Sequence, residues 1–140
     1  MKGEHLPYAD HTARYCPGSK IEDNGRIAPT AFHLRRGETY LSVEWLEYLG
    51  QPDRSGEILA VIDILAKKLR LGSSARVAVL EVGIVCSHVR KETGYLLRFL
   101  HEPEPGDPAH SGIHDTKVDE MIIAELIAES VEETHMVQKI

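Results

Sequence analysis

The spacing of apolar positions changes character along the chain. From Gly56 to Leu71, the residues Ile58, Val61, Ile62, Leu65 and Leu69 recur at the period of one helical face, with Asp63, Lys67 and Arg70 opposite. Lys67, Lys68 and Arg70 suit the negative end of a helix dipole, and Gly72 is a natural stop. From Ala75 to Cys86 both alternating sets are apolar, which predicts a strand covered on both faces. Glu81 interrupts that run and needs a partner such as Arg98, or a place at the end of a sheet. Lys91-Glu92-Thr93-Gly94 reads as a hairpin turn, and Tyr95 to His101 as the returning strand.

Flanking segments are less regular. Asp10 to Cys16 alternate as a strand, placing His11, Ala13 and Tyr15 on one side and Arg14 on the other, before Pro17-Gly18 breaks the element. As a helix the same stretch would group His11 with Arg14 and Tyr15, so the three are kept together. Ala31 to Leu34 and Tyr40-Leu41 suggest a small hairpin over 30–41. Ser42 reads as the N-cap of a helix through Leu49, ended by Gly50 and Pro52. A last helix is expected from Asp115 or Thr116 to residue 134, apolar around most of its circumference and with an acidic stripe at Glu125, Glu129, Glu132 and Glu133. These elements predict a single α+β domain over 1–140, with a loosely ordered N-terminus (1–8). Its antiparallel sheet would be built on a central hairpin 75–101 and packed by two to three helices.

The net charge of -6 argues against nucleic acid as the main partner, because phosphate contacts need a basic field. No stretch approaches the roughly 20 apolar residues that would span a bilayer, so no membrane association is expected. Cys16 and Cys86 lack CxxC spacing and no secretory signal precedes them, which suggests reduced thiols and a cytoplasmic location.

Candidate chemistry centres on His101 to Asp115, a stretch holding three of the eight histidines and three of the seven prolines. A connection of this length is usually functional or disordered. His11, Arg14, Tyr15, His101 and His110 form the expected catalytic set, the imidazoles moving protons and the guanidinium holding an anion by its planar fork. Ser111, Gly112 and His114 are the expected ligand-binding residues, on the premise that this segment leads into a helix N-terminus. The ligand would be anionic or nucleotide-like and the protein a hydrolase or transferase. No metal ligand is assigned. A divalent zinc or iron held by His110, His114, His101 and Asp115 is the weaker reading, since HEXXH is absent. Also absent are a P-loop, GxGxxG and a nucleophile elbow. The early His11-x2-Arg14-Tyr15 followed by Leu41-Ser42-Val43 resembles ADP-ribosyl transfer enzymes over two short pieces, with Glu81 the one candidate for a later catalytic glutamate. That extent does not identify a family. The alternative function is a non-enzymatic interaction module or accessory subunit. In it the apolar last helix contacts a protein partner or a second copy in a homo-oligomer.

Overall fold

The computed structural model describes residues 1–138. Its strands are β1 (His11–Cys16), β2 (Leu41–Trp45), β3 (Arg76–Glu81), β4 (Arg98–His101), β5 (His110–His114) and β6 (Glu133–Met136). Its helices are α1 (Arg54–Lys68), α2 (Val82–Thr93) and α3 (Glu120–Glu129). All six strands join one antiparallel sheet in the order β4-β5-β2-β1-β3-β6. The class is therefore α+β, as the patterning predicts.

Helices cover both faces of the sheet. On one side α1 packs Ile58, Val61 and Leu65 against Ala13, Val77 and Val79. On the other, α2, α3 and a 3-10 turn at Pro29–Phe32 enclose Phe32, Leu41, Val43, Leu80, Phe99, Ile113, Ile123 and Ile127. Burying each such side chain contributes about 1.5–3 kcal/mol, so the two clusters dominate the stability. The full burial of Val77, Ala78, Val79 and Leu80 explains why both alternating sets in β3 are apolar. Asp53 caps α1 by accepting the Gly56 N–H at 2.8 Å. The segment 1–8, expected to be loose, lies along β4. There the Gly3 N–H donates to the His101 carbonyl, the Leu6 N–H donates to the Phe99 carbonyl, and Leu6 is buried.

The strand neighbours correct the sequence reading in four places. First, the central hairpin 75–101 does not form. Val82 to Thr93 is helix α2, and β3 pairs with β1 and β6, with β1, β2 and β5 separating it from β4. A continuous apolar run has no period that separates strand from buried helix, and the apparent turn at Lys91–Gly94 is a helix end closed by Gly94 at φ 81°. Second, residues 41–45 are a strand and not a helix. Leu41, Val43 and Trp45 alternate with Ser42 and Glu44, and the ladders to β1 and β5 override the capping signal of Ser42. Third, 30–41 is no hairpin, because residues 29–32 form the 3-10 turn. Fourth, α3 ends at Glu129 and the chain returns to the sheet as β6.

Candidate functional site

The ladder between β1 and β2 runs only through Thr12↔Trp45 and Ala13↔Glu44. Arg14, 8% exposed, takes up the backbone groups where the strands part. Its Nε donates to the Ala31 carbonyl and its Nη1 to the Ser42 carbonyl, each at 2.8 Å, and the guanidinium stands 5.9 Å from the centre of the Phe32 ring. Burial pulls the Arg14 pKa down, but a guanidinium remains charged in any protein environment. A pocket of about 230 Å³ opens here, lined by Arg14, Tyr15, Arg35, Glu38, Ser42, Glu44, the end of α1 at Lys68, Glu104 and His110.

The unusual chemistry of the pocket lies in its carboxyl groups. Glu44 is 3% exposed and stands directly opposite His110 across the β2–β5 ladder. Asp107, wholly buried, comes from the 102–109 connection beside it. Lys68 reaches over from α1, donating to Glu104 at 3.1 Å and to Asp107. Burial works to lower the Lys68 pKa, and its bonds to these two carboxylates more than reverse that, so the net shift is upward. Glu44 Oε1 and Asp107 Oδ1 have no hydrogen-bond donor among the described residues, and the two carboxyls lie within hydrogen-bonding reach of each other. Burial first, and then the adjacent Asp107 carboxyl, push the Glu44 pKa up to about 9. This environment favours the protonated form of Glu44, whose proton can be shared with the neighbouring Asp107 carboxylate.

The expected site residues divide among several places. Arg14, Tyr15 and His110 line the one pocket. The His110 Nδ1 lies 2.9 Å from the Glu102 carbonyl, which can only accept, so that nitrogen bears hydrogen. His101 is instead a core residue, 2% exposed. Its Nε2 donates to the Pro108 carbonyl at 2.6 Å, and its ring lies 5.2 Å from Trp45 and 4.9 Å from Tyr48. His11 lies among Glu47, Glu81 and Glu132. Its imidazole shares no hydrogen-bond or ion-pair partner with the other candidate residues.

The stretch 110–114 is not the lead-in to a helix N-terminus. It is strand β5, laddered to β2 on one side and β4 on the other, so the expected backbone anion cradle at Ser111 and Gly112 does not exist. The Ser111 hydroxyl is buried and donates to the Ala109 carbonyl at 3.1 Å. Gly112 lies under the Tyr40 ring, where a Cβ would come within 2.2 Å of a ring carbon. His114 stacks on Tyr40 with ring centres 4.8 Å apart and bonds to Glu102 at 2.7 Å. Among the described residues these histidines are not part of a group that could hold a metal ion. Among the described residues the grouping that could hold a metal ion is His11, Glu81 and Glu132.

Sequence reasoning did not identify Glu44, Lys68, Glu104 or Asp107. A signal did exist in Leu41-Ser42-Val43-Glu44-Trp45, where a carboxylate sits inside a strand pattern, the same anomaly that drew notice at Glu81. Glu81 itself ends β3, and Arg98 pairs with Asp115 instead. Both cysteines are buried free thiols, and burial pushes each up to about 11. No helix among the described residues is long and apolar enough to cross a membrane. The chain matches no known protein family, no curated protein and no solved structure, so the functional reading rests on this geometry.

Proposed function

We propose that the pocket at the parting of β1 and β2 binds a small anion-bearing metabolite, and that the Glu44–Asp107 carboxyl pair exchanges a proton with it. The observation that carries this reading is the pair itself: two buried carboxyl groups facing each other, with an oxygen of each reached by no other donor among the described residues, and one of them on the pocket wall. Such a pair burdens the fold by several kcal/mol, and costs of that kind concentrate where chemistry needs them. Arg35 supplies a planar fork for a phosphate or carboxylate, and Arg14, whose Nε and Nη1 are engaged by the Ala31 and Ser42 carbonyls, adds positive charge. Lys68 is occupied by Glu104 and Asp107, so it orients the carboxyl pair and is not the main anion holder. Protonated Glu44 serves as the general acid and His110 as a second proton carrier, a division of labour suited to a hydrolase or transferase. At about 230 Å³ the pocket is smaller than the ~300–1,000 Å³ typical of drug-sized ligands, which favours a phosphate- or carboxylate-bearing fragment over a whole dinucleotide.

Thermal-shift screening against a panel of small phosphates and carboxylates tests this reading. At least one class should raise Tm in the wild type, Arg35→Ala should lose the shift, and Glu44→Gln should keep it. If no compound stabilises the protein, or Arg35→Ala responds as the wild type does, the reading fails. A second reading, an interaction module, is supported by one observation. Val118, Met121 and Ile122, on the 3-10 turn before α3 and its first turn, are 55%, 70% and 47% exposed. Light scattering over a concentration series distinguishes it, since a concentration-dependent mass abolished by Met121→Glu is expected for that role alone.

A further inference from the structure

We propose that His11, Glu81 and Glu132 form a binding site for one divalent transition-metal ion of the zinc or iron type, with Glu47 holding the imidazole. The site is separate from the carboxyl pocket and does not depend on the function proposed for it.

The three side chains come from fixed backbone. His11 opens β1 and Glu81 closes β3, and the two are direct partners in the β1–β3 ladder. Glu132 lies just before β6, where its N–H donates to the Val79 carbonyl at 2.9 Å. One atom from each side chain, the His11 Nε2 and a carboxylate oxygen of Glu81 and of Glu132, falls within 4.8 Å of the others.

Two features separate this arrangement from an ordinary ion pair. The first is the imidazole. Glu47 accepts the His11 backbone N–H at 2.7 Å through one oxygen and meets His11 Nδ1 at 2.7 Å through the other. A carboxylate can only accept, so Nδ1 bears hydrogen and Nε2 is the ring atom left facing Glu81 and Glu132 as the available ligand. A carboxylate behind a histidine is the arrangement that orients and strengthens metal-ligating imidazoles. The second feature is distance. Nε2 lies 3.7 Å from Glu81 and 3.8 Å from Glu132, beyond N–H···O range. Two ligands of a tetrahedral ion with bonds of ~2.0–2.1 Å stand roughly 3.3–3.4 Å apart, so the two Nε2–oxygen distances need to close by about 0.4 Å and the Glu81–Glu132 oxygen separation, within 4.8 Å, by no more than about 1.5 Å.

Charge points the same way. Glu47, Glu81 and Glu132 converge on one imidazole, and none of them pairs with a lysine or arginine among the described residues. Mutual repulsion of the carboxylates disfavours the empty arrangement, and a dication relieves it. One nitrogen and two oxygen ligands suit zinc or iron better than magnesium or calcium, which prefer all-oxygen shells. Three protein ligands leave at least one position for water or substrate, the mark of a catalytic over a structural ion. Glu81 also lines an open depression with Tyr8, Ser87, His88 and Lys91.

The test is titration of chelator-stripped, untagged protein with Zn²⁺ by calorimetry, and with Co²⁺ by visible absorption. The wild type should bind one equivalent of Zn²⁺ and develop a cobalt d–d band. Glu132→Gln and Glu81→Gln should each weaken binding at least tenfold. Glu47→Gln should weaken it about 10–100-fold through the imidazole alone. Each variant is first melted without metal, and those whose Tm matches the wild type carry the comparison. His11→Gln should abolish the cobalt band, and serves where a glutamate variant is destabilised. Less than about a tenth of an equivalent bound, or affinity and band unchanged in the folded variants, would overturn the site and place any zinc on other histidines.

Discussion

Replacing Glu44 by glutamine removes a titrating group without changing the size of the side chain, and the consequence can be worked through in sign and size. Glu44 is held near 9 in the folded protein against an ordinary value of 4.5. Between those two values the unfolded chain has released a proton that the native state retains, so rising pH favours unfolding. The slope is about 1.4 kcal/mol per pH unit for one proton, with nothing lost below the unfolded pKa and the full loss reached above the folded one. Going from pH 6 to pH 8 therefore removes roughly 3 kcal/mol through Glu44 alone, a large share of a typical domain's margin. Glu44→Gln lacks this slope, and its amide can donate to the unpartnered Asp107 oxygen. Histidine titration is common to both proteins and cancels in their difference. Urea denaturation at pH 6, 7, 8 and 9 should show the variant gaining on the wild type at each step. With m near 1–3 kcal/mol per molar urea, the midpoint difference should widen by about 1–3 M across the first two units. Parallel loss of stability in the two proteins would refute the burial and coupling of this carboxyl.

Other expectations follow from the same packing. Lys68→Met strips Asp107 and Glu104 of their cation and should cost about 1–3 kcal/mol, read as a fall in urea midpoint, whereas Arg98→Ala at the exposed pair with Asp115 should leave the midpoint nearly unchanged. Gly112→Ala drives a methyl into the Tyr40 ring and should cost about 1–3 kcal/mol, with the Tyr40–His114 stacking shift lost from the NMR spectrum. Phe32→Ala empties a fully buried site beneath Arg14 and should cost about 3–5 kcal/mol by thermal or chemical melting. Cys16 and Cys86 should resist a thiol reagent in the native state at pH 8 and both react on unfolding, because burial raises each to about 11.

Local pattern alone determined those elements whose neighbours agree with their period. Ile58, Val61 and Leu65 mark α1 because a helix resting on a sheet shows its whole apolar stripe in sequence. β1 and the doubly covered β3 were legible for the same reason, and so was the α+β class. Tertiary structure decided the rest. Val82 to Cys86 are as apolar as the strand before them, and what turns the chain into α2 at Glu81 is the end of the ladder with β1, a contact some 70 residues away in sequence. Ser42 became a strand residue because β5 pairs with it through Gly112 and β1 pairs with Glu44 and Trp45 just beyond it, and no local signal encodes that. The site followed the sheet order. Arg14, Tyr15 and His110 come to one pocket, whereas His101 is enclosed by aromatic rings and His11 faces three glutamates. Glu44, Asp107 and Lys68 stand far apart along the chain and meet only when α1 lies over β2 and the 102–109 connection. Their chemistry arises from shared burial and mutual charge, and a linear sequence displays neither until the chain has folded.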